Sequence, residues 1–269
     1  MSAATASVLI TGGGSGIGLA CAARFLAGGA HVTIAGRSAE RLQAAAEGLD
    51  SDRLSTVVCD VGDEDAVAAA IGHSDRKGPL RTIVAAAGTG WIAPISQVPL
   101  HAWQRVIDTN LTGTFLALKH ATPRLAANGG GAFIAISSVN SVLSSRFHAP
   151  YCATKAAVDM LVRSAADELG AAGIRVNAVR PGLVPTLMSG PLVADASIRE
   201  DFLEQMPIRR LGTVDDIAAA VAWLASDAAT WITGVCLDVD GGHHLRRGEN
   251  FDPWIRQEHP DPPAWWGVH

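Results

Sequence analysis

The chain has no apolar run approaching the ~20 residues needed to cross a bilayer, and its N-terminus lacks a basic leader followed by an apolar core. A soluble, cytoplasmic protein is expected. No basic run occurs beyond short pairs such as Arg246–Arg247, which reads as a solvated turn, and the net charge is −5 at pH 7. No nucleic-acid face is expected. The four cysteines, Cys21, Cys59, Cys152 and Cys236, form no C-x-x-C pair, and each falls in an expected helix or strand. They read as reduced core residues. Cys152 follows a tyrosine of interest, yet neighbouring helical residues point in different directions, so no catalytic thiol is expected. His243 and His244 share a turn with no carboxylate motif beside them, and no catalytic metal is expected.

What is present is a regular alternation. The 269 residues are 48% hydrophobic, and apolar runs near 7–11, 31–35, 55–59, 82–87, 132–137, 174–179 and 235–239 read as strands with helices between them. The fold class is α/β: one domain over residues 1–247, a doubly wound parallel sheet of about seven strands with helices on both faces. In such sheets ligands bind at the carboxyl ends of the strands.

The segment SVLITGGGSGIGLACAARFL reads as strand, glycine-rich turn and helix. Glycines let a backbone approach a pyrophosphate, and the helix opening near Ser15 offers free N–H groups and the positive end of its dipole. The spacing Gly12, Gly16, Gly18 departs from the G-x-G-x-x-G register. A nucleoside-triphosphate loop is excluded, because no Lys-Ser/Thr follows the glycines.

Tyr151 and Lys155 stand one helical turn apart in YCATK, and Ser138 ends the apolar run AFIAISS thirteen residues upstream. Residues at i and i+4 share a helix face, so phenol and ammonium project into one space. A free phenol ionises near pH ~10, and a neighbouring cation favours the phenolate. Lowering that value by about three units corresponds to roughly 4 kcal/mol. A phenol tuned in this way serves as general acid or base near neutrality.

These motifs together resemble the short-chain dehydrogenase/reductase family, from Val8 to about Gly242. TGGGSGIG resembles its cofactor turn, which implies cofactor contacts from Thr11, Gly12, Ser15, Gly16, Ile17 and Gly18. Asn110 in DTNLTGTF with Ser138, Tyr151 and Lys155 resembles its catalytic tetrad. The resemblance implies a Rossmann-type fold and an NAD(P)-dependent enzyme that interconverts a secondary alcohol and a ketone by hydride transfer. Tyr151 would be general acid/base, Ser138 would steady the substrate oxygen, Lys155 would bond the nicotinamide ribose, and Asn110 would hold a relay water. Asp60 and Val61 in CDV are implied at the adenine, Ala87 and Gly88 beside the cofactor, and Pro181, Gly182, Val184 and Thr186 in RPGLVPT along the nicotinamide. One departure is Ala86, standing where the family carries an asparagine that braces the sheet.

The second strand ends in Gly36 with no acidic residue to repel a 2′-phosphate, while Arg37 can fork onto a phosphate and Ser38 can add a hydroxyl. NADP is favoured over NAD. Leu183 to Leu211 resembles the family's substrate lid, and its apolar residues Leu187, Met188, Leu192 and Phe202 favour a hydrophobic alcohol or ketone. Trp91, Val139, Phe147 and His148 are expected in the same cleft. A 3-oxoacyl-thioester reductase is the alternative function. Residues 248–269 form a Pro/Trp-rich tail without periodicity, expected to be irregular, yet its three tryptophans favour docking over exposure to water. The family's habit implies a homotetramer or homodimer built on the helices carrying Asn110 and Tyr151.

Overall fold

Strand and helix alternate along the chain because short continuous apolar runs, buried on both faces of a parallel sheet, give way to segments of helical period. The first half runs β1 (Ser7–Thr11), α1 (Gly16–Ala27), β2 (His31–Gly36), α2 (Ala39–Leu49), β3 (Leu54–Val58), α3 (Glu64–Asp75) and β4 (Leu80–Ala85). It continues with α4 (Leu100–Ile107), α5 (Gly113–Ala127), β5 (Gly131–Ile136), α6 (Ala149–Leu169) and β6 (Ile174–Pro181). The remainder is α7 (Gly190–Ala194), α8 (Ala196–Gln205), α9 (Val214–Ala225), β7 (Cys236–Val239) and α10 (Asp252–Glu258). This computed structural model describes residues 6–245 and 251–266, without the Trp265 side chain. The Arg246–Arg247 turn and the 247/248 boundary lie outside the described residues.

The seven strands form one parallel sheet in the order β3-β2-β1-β4-β5-β6-β7. Every expected strand is present within two residues of its expected bounds. The order reverses between β1 and β4, which opens a crevice at their carboxyl ends. Side chains alternate between two cores. Leu9, Ile83 and Phe133 face Val67, Leu125 and Val162 on one side, while Ile10, Val84 and Ile134 face Cys21, Ile217 and Val221 on the other. Burying each such side chain contributes roughly 1.5–3 kcal/mol.

Capping fixes where helices begin. Ser38 and Asp63 accept backbone N–H bonds at the starts of α2 and α3, and Thr213 with Asp216 forms a reciprocal capping box on α9. Of the cysteines, Cys21 and Cys59 are buried while Cys152 and Cys236 are only partly so. Burial pushes the Cys21 thiol up to about 12 and the Cys59 and Cys236 thiols up to about 11.

The tail differs from its sequence expectation. It contains α10, whose Pro253 stands in the first turn, where a missing N–H costs nothing. Phe251 and Ile255, four residues apart, are both buried. Tertiary contact, rather than periodicity over a seven-residue helix, supplies the stabilisation. The segment packs on α8 in a third apolar cluster of Leu183, Ile198, Phe202, Met206 and Phe251.

Arg180 at the end of β6 is pinned to Asp159 on α6, with Nε and Nη2 each 2.7 Å from Oδ2. Both residues are buried. Asp159→Asn leaves the guanidinium with Asp238 at 3.5 Å as its remaining carboxylate in this group. A loss of about 3 kcal/mol in urea-unfolding free energy is expected; a loss below about 1 kcal/mol would show that the pair contributes no net stability.

Candidate active site

The glycine turn is shaped by contacts that leave no room for side chains. A Cβ on Gly18 would lie 2.4 Å from the Gly12 carbonyl oxygen, and one on Gly12 would lie 2.8 Å from the Ala87 backbone nitrogen. Gly12 and Gly16 also take positive φ, 68° and 53°. The turn therefore lies flat against the end of β4, and Ser15, Gly16, Ile17 and Gly18 open α1 into the crevice. The Thr11 hydroxyl accepts a bond from the Ala87 N–H at 3.3 Å. That bond ties β1 to β4 at the point where Ala86 offers no side-chain amide.

Ser138 leaves β5 with an extended backbone and caps the short turn Val139–Ser141 by accepting from the Asn140 N–H at 3.1 Å. Tyr151 and Lys155 share one face of α6. The Lys155 ammonium is 5.5 Å from the Tyr151 ring centroid and donates to the Ile136 carbonyl at 2.7 Å. Tyr151 is the sole tyrosine of the chain. Lys155 is buried, and desolvation lowers its pKa to about 8, against a smaller upward pull from Asp159. It is still mainly protonated at pH 7.

Asn110 sits in a π-helical turn, Asp108–Thr112, between α4 and α5. Its side chain accepts from the Thr89 N–H at 2.8 Å and donates to the Thr89 carbonyl and the Thr154 hydroxyl at 2.9 and 3.0 Å. The loop after β4 is thereby tied to α6 at Thr154, the residue before Lys155.

One cleft of about 730 Å³ brings most of the expected site together. Gly12, Ser15, Gly16, Ile17 and Gly18 line one part of it, and Ala87, Gly88, Ser138, Tyr151 and Lys155 another. Pro181, Gly182, Val184 and Thr186 complete it from β6 and the loop beyond. Thr11, Val61 and Asn110 are buried behind the walls. Arg37 and Asp60 are exposed, and Asp60 accepts the Gly62 N–H at 3.0 Å. Ser38 caps α2 through the Arg41 N–H at 3.2 Å.

On the lid side, Leu187, Met188, Leu192 and Phe202 line the cleft, opposite Trp91, Val139 and His148. Phe147 does not line it. Its φ of 66° turns the ring towards Trp266, beneath the Arg146 guanidinium. Sequence reasoning missed Arg41, at the cleft rim, and Trp254, in the tail. For Arg41 the signal was its place in the first turn of α2, three residues beyond the cap. For Trp254 no local pattern existed.

His244 does meet carboxylates, contrary to expectation: ligand atoms of Asp238, Asp240 and His244 lie within 4.8 Å of one another. Asp240 is engaged by the N–H groups of Gly242 and His244 and by the His244 ring, and Asp238 by Arg180. A larger hollow of about 1190 Å³ lies at the opposite ends of the strands, among Arg24, Arg81 and Trp231, and contains none of the expected site residues.

Comparison with known proteins places the chain among relatives. The profile of the family described as Enoyl-(Acyl carrier protein) reductase matches residues 12–244. The chain is similar to the cis-4-hydroxycyclohexanecarboxylate dehydrogenase of Sinomonas cyclohexanicum, 40% identical over 87% of this chain and 95% of that protein. A short-chain type dehydrogenase/reductase from Mycobacterium ulcerans superposes with a TM-score of 0.90 at 39% identity, covering 93% of this chain and 94% of that one. The 3-ketoacyl-(acyl-carrier-protein) reductase of Brucella melitensis, solved with NADH, superposes with a TM-score of 0.82 at 32% identity, covering 88% and 97%.

The buried ammonium has a measurable signature. Folded Lys155 releases its proton near 8, whereas an unfolded lysine holds it to ~10.4, so this group adds stability as pH rises through that window. The gain is up to about 3 kcal/mol. The three raised thiols act in the opposite direction, so the quantity to measure is the difference between wild type and Lys155→Met. The variant should be the more stable at pH 7, with its advantage shrinking by pH 10; a difference independent of pH would refute a desolvated ammonium.

Proposed function

The chain belongs to the short-chain dehydrogenase/reductase family and is an oxidoreductase acting on CH–OH groups, and from that premise we propose that it interconverts a secondary alcohol and a ketone on a hydrophobic small molecule. The observation that carries this reading is the convergence of Ser138, Tyr151 and Lys155 with the glycine turn on one cleft, opposite an apolar lid.

The cleft floor fits a dinucleotide. Close backbone packing at Gly12 and Gly18 leaves no room for a Cβ, and the opening N–H groups of α1 beside Gly16 offer an anion cradle at the cleft. Thr11, Ser15 and Ile17 would support the pyrophosphate end, and Asp60 with Val61 the adenine. Ala87 and Gly88 would border the nicotinamide ribose, and Pro181, Gly182, Val184 and Thr186 the ring. When bound, a nicotinamide dinucleotide supplies or accepts the hydride.

The remaining work falls to this chain's own groups. Tyr151 gives its proton to the substrate oxygen in reduction and takes it back in oxidation. Ser138 donates a hydrogen bond to that oxygen. The Lys155 charge favours the phenolate and its N–H groups would hold the ribose hydroxyls. The Asn110 carbonyl accepts from the Thr114 hydroxyl at 2.7 Å and has a second lone pair for a relay water. The lid presents Leu187 and Met188 as exposed apolar side chains at the cleft mouth, where closure over a ligand would bury them and exclude water.

NADP is the favoured cofactor, because β2 ends in Gly36 and both Arg37 and Arg41 stand exposed near its end. A homotetramer is the proposed assembly, since α5 and α6 leave Phe115 and Met160 exposed. Reduction of a 3-oxoacyl thioester is the second reading, favoured by the likeness to the 3-ketoacyl-(acyl-carrier-protein) reductase of Brucella melitensis. Turnover of acetoacetyl-coenzyme A at least tenfold above that of cyclic ketones would select it.

Tyr151→Phe should cut turnover by about 10²–10⁴ while leaving dinucleotide binding intact; undiminished turnover would overturn the assigned chemistry. Nicotinamide fluorescence titration should show NADPH bound more tightly than NADH, with the order reversed in Arg37→Asp. Equal binding in the wild type would remove the phosphate-site assignment. Because Tyr151 is the sole tyrosine, phenolate absorbance reports it directly, and it should appear at higher pH in Lys155→Met than in wild type.

A further inference from the structure

The family match ends at residue 244, yet Trp254, beyond it, lines the cleft. Phe251 is fully buried, and its ring stands edge-on to His148 at 5.5 Å and 84°. His148 in turn lies flat on Tyr151, with centroids 4.6 Å apart and planes 6° apart. Three rings thus run from the tail to the phenol. One turn further along, Trp254 lines the cleft, and its indole N–H donates to Asp195 Oδ2 at 2.9 Å. Asp195 is the N-cap of the lid helix α8. Trp254 is therefore fixed at the junction of lid and tail, where it lines the cleft.

The tail is anchored independently of these contacts. Arg146 pairs with Asp252 and donates to the Trp266 carbonyl at 2.6 Å. Among the apolar side chains of the lid side, Trp254 is the bulkiest, and it approaches from an element that neither strand ends nor lid helices provide.

We propose that Trp254 is a specificity-determining residue: its indole forms the end wall of the substrate pocket and restricts the pocket to compact alcohols and ketones. This rests on the reading of the cleft as a secondary-alcohol site and adds the size of substrate that it takes. Phe251 acts behind it as a positioning residue, holding His148 flat on Tyr151.

The test compares cyclohexanone with 4-phenylcyclohexanone on the full-length chain with NADPH and NADH. Wild type should favour cyclohexanone in kcat/KM. Trp254→Ala should raise the 4-phenylcyclohexanone to cyclohexanone ratio at least tenfold, and Trp254→Phe, which keeps a ring but loses the bond to Asp195, should shift it less than threefold. An unchanged ratio in Trp254→Ala, or an equal shift in both variants, would overturn the end-wall assignment. If wild type turns over neither ketone with either nucleotide, the alcohol-site reading fails. Calorimetric binding of the same two ketones to wild type and Trp254→Ala then decides the wall by the same ratio. For Phe251, the Leu variant keeps apolar volume without a ring; it should lower kcat about fivefold at unchanged KM and dinucleotide affinity, and an unaltered kcat would dismiss the positioning role.

Discussion

The Lys155 ammonium is held almost out of reach of water by the Ile136 carbonyl at 2.7 Å. Burial alone favours the neutral amine, and it lowers the pKa to about 8. Asp159, one turn along α6, pulls in the other direction and is itself bound to Arg180 at the end of β6. A line of charges therefore joins β5, α6 and β6 at their active-site ends. The Tyr151 ring lies on that line, 5.5 Å from the ammonium, and the rest of the site is arranged around this fixed point.

The sheet supplies the second constraint. Reversal of strand order between β1 and β4 leaves a crevice that no crossover helix fills. The glycine turn occupies one side of it in backbone contact with Ala86 and Ala87, at distances that exclude any Cβ. The bond from the Ala87 N–H to the Thr11 hydroxyl braces this junction, where the amide of the family's asparagine is missing. The nearby Asn110 amide is committed to Thr89 and Thr154. Two polar side chains thus hold the crevice at a fixed width while a third position has become apolar.

The lid and tail form a separate layer. Their apolar cluster around Phe202 and Phe251 is distinct from the two cores that sandwich the sheet. The cleft residues contributed by lid and tail accordingly rest on elements that can vary without disturbing the sheet, a division common in folds that place function on loops. Ser138, Tyr151 and Lys155 instead stand just beyond β5 and on α6, against the packed cores.

The sequence alone determined where the strands fall, because short apolar runs and glycine punctuation are local signals and each of the seven strands lies within two residues of its expected place. It also placed Tyr151 and Lys155 on one helix face, since an i, i+4 pair needs only a helix to share a face. Arg41 was nearly legible, one turn from a capping serine. The helix in the tail and the place of Trp254 were not, because seven residues carry too little periodicity to declare a helix, and what stabilises them is contact with residues about sixty positions earlier. Tertiary structure alone decided the edge contact of Phe251 with His148, the pairing of Arg146 with Asp252 and the depth of the cleft. Each depends on where distant segments come to rest, and that position is set by the summed packing of the whole chain.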